Sequence, residues 1–107
     1  MVSPDRVRRD LKDIRYYYAR KAILDSVKGD VGISKVRNMV DRYNQIILNA
    51  PLYLFDLYVC LYIKGYTQDK MAVELNVSSQ YVQSQNKKLI AFLQTHYDGH
   101  WEEEEST

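Results

Sequence analysis

Apolar side chains recur at Val7, Leu11, Ile14 and Tyr18, spaced four, three and four, which is the period of one helical face. Ser3 can cap that helix, Pro4 suits its first position and Asp5 its positive dipole end. Arg6–Asp10, Arg9–Asp13 and Lys21–Asp25 are oppositely charged i,i+4 pairs, which the pattern predicts on the wet side. Helix 1 is predicted to reach about Val27 and to stop at Gly29-Asp30-Val31-Gly32, the clearest break in the chain.

Ser34 is the expected cap of helix 2, with Val36, Met39, Val40, Tyr43 and Ile47 as its buried face and Asn49-Ala50-Pro51 as its end. Pro51 opens helix 3, which is nearly all apolar to Ile63 and so predicted central. Gly65 is placed to end it in the left-handed region. Thr67 caps a short helix 4 (68–75), and Ser78 caps helix 5, which continues to about Tyr97. No segment alternates with period two. The expected fold is therefore all-α, with five helices in one domain over residues 1–97: an N-terminal helical pair (1–50), then helix 3 with helices 4 and 5 (51–97). At 107 residues there is no room for a second core.

Charge adds an asymmetry. Residues 1–97 carry a net charge of +6, and the last ten carry −5. A basic body suits an anionic partner, and the acidic stretch 98–107 is expected to be a disordered tail. One cysteine, Cys60, closes no internal disulfide and suits a reducing compartment; within helix 3 it reads as a small core residue. The longest apolar run, 52–63, is too short for a bilayer and the N-terminus lacks a signal-peptide pattern, so a cytoplasmic protein without membrane contact is expected. His96 and His100 have i,i+4 spacing but flank Gly99 with no third ligand nearby, so no metal is expected. No catalytic triad, phosphate loop or buried carboxylate pair can be assembled. The chain reads as a non-enzyme without cofactor.

The informative stretch is 65–84. Met71, Leu75, Val77 and Val82 stand where two short helices would share a small core, and Ala72 where they would cross. Asn76 falls at a turn position that needs left-handed backbone, and Ser78 caps the next helix. Gly65-Tyr66-Thr67, Ala72, Leu75-Asn76-Val77-Ser78 and Val82-Gln83-Ser84 resemble, in order, the helix-turn-helix of the sigma-factor C-terminal domain, over roughly residues 62–93. The upstream Tyr16-Tyr17-Tyr18 and Tyr43-Asn44…Ala50-Pro51 segments look like those of small phage-encoded regulators of late-gene transcription that carry such a domain.

The resemblance implies a sequence-specific, double-stranded-DNA-binding transcription regulator of a phage or prophage in a bacterial cytoplasm. Helix 5 would read the major groove, and host RNA polymerase or a second copy in a homodimer are further partners. The outward residues would be Ser79, Gln80, Tyr81, Gln83, Ser84 and Lys87. Gln80 and Gln83 suit adenine edges, and Tyr81 a thymine methyl or a phosphate. Lys87, Lys88, Thr67 and Gln68 suit phosphate. Asn86 falls on the inner stripe and needs a hydrogen-bond partner if buried. The basic residues of helix 1 either extend this footprint or form a solvated face. Because helix 5 is rich in amides and poor in arginine, a second class stays open: a protein-interaction module that binds RNA polymerase or a repressor, anti-repressor-like, without touching DNA. A small terminase subunit would share the motif but assemble as a ring.

Overall fold

The Ser3 backbone is extended and its hydroxyl oxygen accepts from the Arg6 amide at 3.1 Å, so α1 (Pro4–Ala19) starts on a side-chain cap. The computed structural model describes residues 2–26 and 31–97, and within them every regular element is helical, with no strand. After α1 come α2 (Lys21–Ser26), α3 (Val31–Ile47), α4 (Leu52–Tyr58), α5 (Gln68–Leu75) and α6 (Ser79–His96). The all-α class is as expected, and among the described residues six α-helices replace the expected five.

The extra helix arises because the expected helix 1 breaks at Arg20. Its φ of −121° leaves the helical region, and its amide is shared between the Tyr16 and Tyr17 carbonyls. Its guanidinium lies 4.0 Å over the Tyr16 ring, a cation–π contact. No glycine or proline marks this position, so the break has no local sequence signal. The second helix also starts earlier than expected. Val31 and Gly32 are already helical, so Ser34 lies within α3 and not at the start expected of it. Residues 27–30, which hold the expected end of helix 1 and the first half of the expected break, lie outside the described residues, as does the acidic stretch 98–107.

α4 begins after Pro51 and runs into a π-helical turn, Val59–Ile63, in which the Lys64 amide donates to the Val59 carbonyl at 2.8 Å. Gly65, at φ +77°, turns the chain out of this stem. The stem is central, as its composition predicts, packing on α1, α3, α5 and α6. Its start is open, however: Leu52 and Tyr53 are exposed.

The core joins Val7, Leu11 and Ile14 of α1 to Met39 and Val40 of α3, Leu57 and Leu61 of the stem, and Val82, Leu89 and Leu93 of α6. Of the three consecutive tyrosines, Tyr17 is buried, Tyr18 half-buried and Tyr16 exposed, as 100° steps around a helix require. Cys60 is half-buried against the core.

Asp10 departs from expectation. It is 4% exposed, where the charge pattern placed it on the wet side. Three residues from Val7 and four from Ile14, it sits inside the apolar stripe, and there it is fully engaged. The Tyr43 hydroxyl donates to its Oδ2 at 2.7 Å, and Arg6 Nε lies 3.3 Å from both oxygens. A second bridge links three elements, with the Tyr58 hydroxyl donating to Asn44 Oδ1 at 2.7 Å and Asn44 Nδ2 to the Tyr18 oxygen at 2.9 Å. Burial, reinforced at Tyr43 by the Asp10 carboxylate, pushes the Tyr43 and Tyr58 hydroxyls well above the ordinary tyrosine range.

Tyr43 also stacks on Tyr97, the residue after α6, with ring centroids 5.3 Å apart. Asp10 is thereby tied to the far end of α6. Farther along α1, Arg15 reaches Gly65, and Tyr62 of the same stem holds Asn86 halfway along α6. The C-terminal half of α1 therefore lies toward the beginning of α6.

Candidate functional site

The α5–turn–α6 unit is built from local chemistry. The Thr67 hydroxyl oxygen accepts from the Lys70 amide at 3.0 Å and the Ser78 hydroxyl oxygen from the Tyr81 amide at 3.1 Å, so both helices begin on side-chain caps. Asn76 has φ 56° and ψ 47°, the left-handed conformation the turn requires. The Val77 amide closes back on the Ala72 carbonyl at 3.0 Å. A further clamp comes from Ser79, whose hydroxyl donates to Asp69 Oδ1 at 2.6 Å and fastens the start of α6 to the start of α5.

Ala72, Met71 and Val82 are buried, as the pattern predicts. Ala72→Leu would force three extra carbons into that contact, and overpacking of this kind costs about 1–3 kcal/mol. Urea denaturation should show a lowered midpoint for Ala72→Leu, and an unchanged midpoint would mean that the contact has room to spare.

Leu75 and Val77 do not share that core: they are 50% and 38% exposed. α5 is only eight residues long, and the opening turn of α4 stands off from its end. Between them lies an apolar groove of about 280 Å³ whose walls include Tyr53, Leu57, Leu75, Val77 and Tyr81, with Asp56 and Gln85 as its polar members. The half-buried Asn86 has the partner its position demands, since the Tyr62 hydroxyl donates to its Oδ1 at 2.6 Å. Burial raises the Tyr62 hydroxyl above its usual range, partly opposed by this bond and by the nearby Arg15 charge.

Ser79, Gln80, Tyr81, Gln83, Ser84, Lys87 and Lys88 are all exposed, as is Thr67, while Gln68 is half-buried. They do not form one surface. At 100° per residue, Gln80, Gln83, Ser84 and Lys87 span roughly 100° of α6, with Gln83 bordering the buried stripe at Ile90 and Ser84 farthest from it. Tyr81 is turned roughly 160° from Gln83 and lines the apolar groove. Lys88 lies between Ser84 and the Tyr81 flank, and the Ser79 hydroxyl is engaged by Asp69. The structure thus separates a polar face, carrying two glutamines, from an apolar flank carrying Tyr81.

One residue held at the entrance of α5 has no local signal in the sequence. Arg15, from α1, donates through Nη2 to the Gly65 carbonyl at 2.8 Å, bridging fifty positions of chain. Two residues past Gly65 stands the Thr67 cap, and Lys70 Nζ lies 4.4 Å over the Tyr66 ring. At the other end of α6, His96 Nδ1 lies 2.8 Å from the Phe92 carbonyl, while His100 is outside the described residues. Among the described residues no three His, Cys, Asp or Glu side chains gather as a metal site requires, and no helix is long and apolar enough to cross a membrane.

Compared with known protein families, curated proteins and solved structures, this chain matches none.

Proposed function

We propose that α5 and α6 form a helix-turn-helix of the sigma-factor C-terminal type, and that α6 lies in the major groove of double-stranded DNA. The protein is then a sequence-specific transcription regulator of a phage or prophage, acting in the bacterial cytoplasm. The observation that carries this reading is the polar face of α6. Gln80, Gln83, Ser84 and Lys87 stand exposed on one side of a helix whose start is capped by Ser78 and clamped to α5 through Ser79 and Asp69. A recognition helix needs such a face at its N-terminal end, held rigidly by its neighbour.

Selection from a random double-stranded library is expected to enrich one sequence, with paired half-sites if the protein binds as a homodimer. On that duplex, Gln80→Ala and Gln83→Ala should each lose about 1–3 kcal/mol of discrimination against the base they read, roughly five- to 150-fold. Failure to enrich any sequence, or unchanged preference in both variants, would remove the reading.

The apolar groove favours a second one, in which the protein docks on RNA polymerase or on a repressor. Leu75, Val77 and Tyr81 are exposed around that groove, and an exposed apolar cluster marks an interaction surface. Co-purification that Leu75→Lys abolishes, with DNA binding absent in the unaltered protein, selects this alternative. A ring-sized mass in light scattering would instead point to a small terminase subunit.

A further inference from the structure

We infer that Arg15 is a phosphate-contacting residue of the duplex site, delivered from α1 to the mouth of the α5–α6 unit, with Lys64 and Lys70 beside it. This rests on the DNA-binding reading and adds a backbone anchor that lies outside the motif. An amide-rich α6 reads base edges well but neutralises few phosphates, and phosphate contacts supply the salt-dependent affinity and fix register. The missing positive charge is present where the chain enters α5.

Arg15 is exposed and holds the Gly65 carbonyl through one nitrogen at 2.8 Å. A guanidinium carries five N–H donors, so most stay available in a fork that matches a phosphate. Among the described residues no carboxylate pairs with it, in contrast to Arg6, held by Asp10, and Arg8, held by Asp5 at 3.0 Å. Lys64 and Lys70 bracket Gly65 in sequence, and both are exposed. The acid in this stretch, Asp69, keeps its charge and is turned toward the start of α6, where the Ser79 hydroxyl donates to it. The Arg15 charge also acts on Tyr62, whose hydroxyl donates to Asn86, one helical turn on from Gln83. The Tyr62–Asn86 bond joins the stem to that side of the helix, away from the apolar groove lined by Tyr81. Of the α1 cations, then, Arg15 is the one the fold fastens to the entrance of α5.

The test is a salt series on the unaltered protein and its variants, with two probes: the duplex enriched by selection and an unrelated duplex of equal length. Arg15→Ala is expected to flatten the slope of log affinity against log salt by about 0.9, the value of one phosphate contact. It should weaken both duplexes by the same factor, leaving their ratio unchanged. Arg15→Gln keeps a donor for the Gly65 carbonyl without the charge, so it should show the same loss even if the alanine variant misfolds. Arg15→Lys should keep the slope, which a purely structural role for the guanidinium would not allow. Arg8→Ala removes a charge already paired and should leave the slope unchanged. If Arg15→Gln folds and keeps the full slope while the unaltered protein binds, the inference fails and the DNA-binding reading survives. If the unaltered protein retains neither duplex, both fall together.

Discussion

Asp10→Ala is expected to lower the stability of the protein by about 3 kcal/mol, the loss typical of breaking a buried, hydrogen-bonded ion pair. For a domain of this size that corresponds to a fall in Tm of roughly 15 °C. The carboxylate is 4% exposed and receives both the Tyr43 hydroxyl and the Arg6 guanidinium. Removing it leaves the Tyr43 hydroxyl buried without its acceptor and opens a small void among Val7, Leu11 and Ile14. Arg6 suffers less, because about a quarter of its side chain still reaches water. Tyr43→Phe separates these contributions. It keeps the ring stacked on Tyr97 and deletes only the 2.7 Å bond, whose charged acceptor makes it worth about 1.5–3 kcal/mol. Urea titrations of the two variants at matched m-values provide the measurement. Two near-neutral substitutions would mean that the network only fills space. The effect bears on function because Tyr97 marks the end of α6, so this network fixes the far end of the helix whose beginning carries the polar face.

What the sequence made legible was what its chemistry settles within a few residues. The caps at Ser3, Thr67 and Ser78, the left-handed Asn76 and the glycine exit at Gly65 each depend on neighbours one to four positions away, and each is found where the pattern predicts it. Most of the buried stripes of α1, α3 and α6 are legible for the same reason, although Tyr17 takes the buried place expected of Tyr18 and Val36 is half-buried. The failures are non-local. Leu75 and Val77 satisfy the spacing of a shared core, but burial also needs a wall, and the opening turn of α4 is too far off to supply one. For Asp10, charge pattern alone points to solvent. Its acceptor role depends on Tyr43, which lies 33 positions along the chain. Proximity in sequence groups Tyr81 with the glutamines, although the two-residue step to Gln83 turns it nearly to the opposite side of α6. Arg15 could not have been singled out among the α1 cations, since its position is set by a carbonyl fifty residues away.

The buried tyrosines make alkaline stability the sharpest remaining test of the core. Tyr43, Tyr58 and Tyr62 all have hydroxyls raised above the ordinary tyrosine value, in each case chiefly by burial away from water. In the unfolded chain these hydroxyls lose their protons near pH 10. Below that pH both states are protonated and the full stability is present. Above it the unfolded state binds fewer protons than the folded one, so stability falls as pH rises, until the folded groups titrate in turn. Tyr43 and Tyr58, the most strongly raised, each contribute about 1.4 kcal/mol per pH unit to the slope, together roughly 3 kcal/mol, and Tyr62 adds in the same direction. A domain at the low end of the usual margin, about 5 kcal/mol, therefore unfolds cooperatively between one and two units above pH 10. The rise in tyrosinate absorbance should then contain a step that coincides with loss of the helical circular dichroism signal. In Tyr43→Phe the slope of unfolding free energy above pH 10 should be shallower by about 1.4 kcal/mol per unit. A flat profile through pH 11, or a variant slope identical to that of the unaltered protein, would show that the Tyr43 hydroxyl reaches water in solution and that the contact between α1 and α3 is looser than the 2.7 Å bond to Asp10 describes.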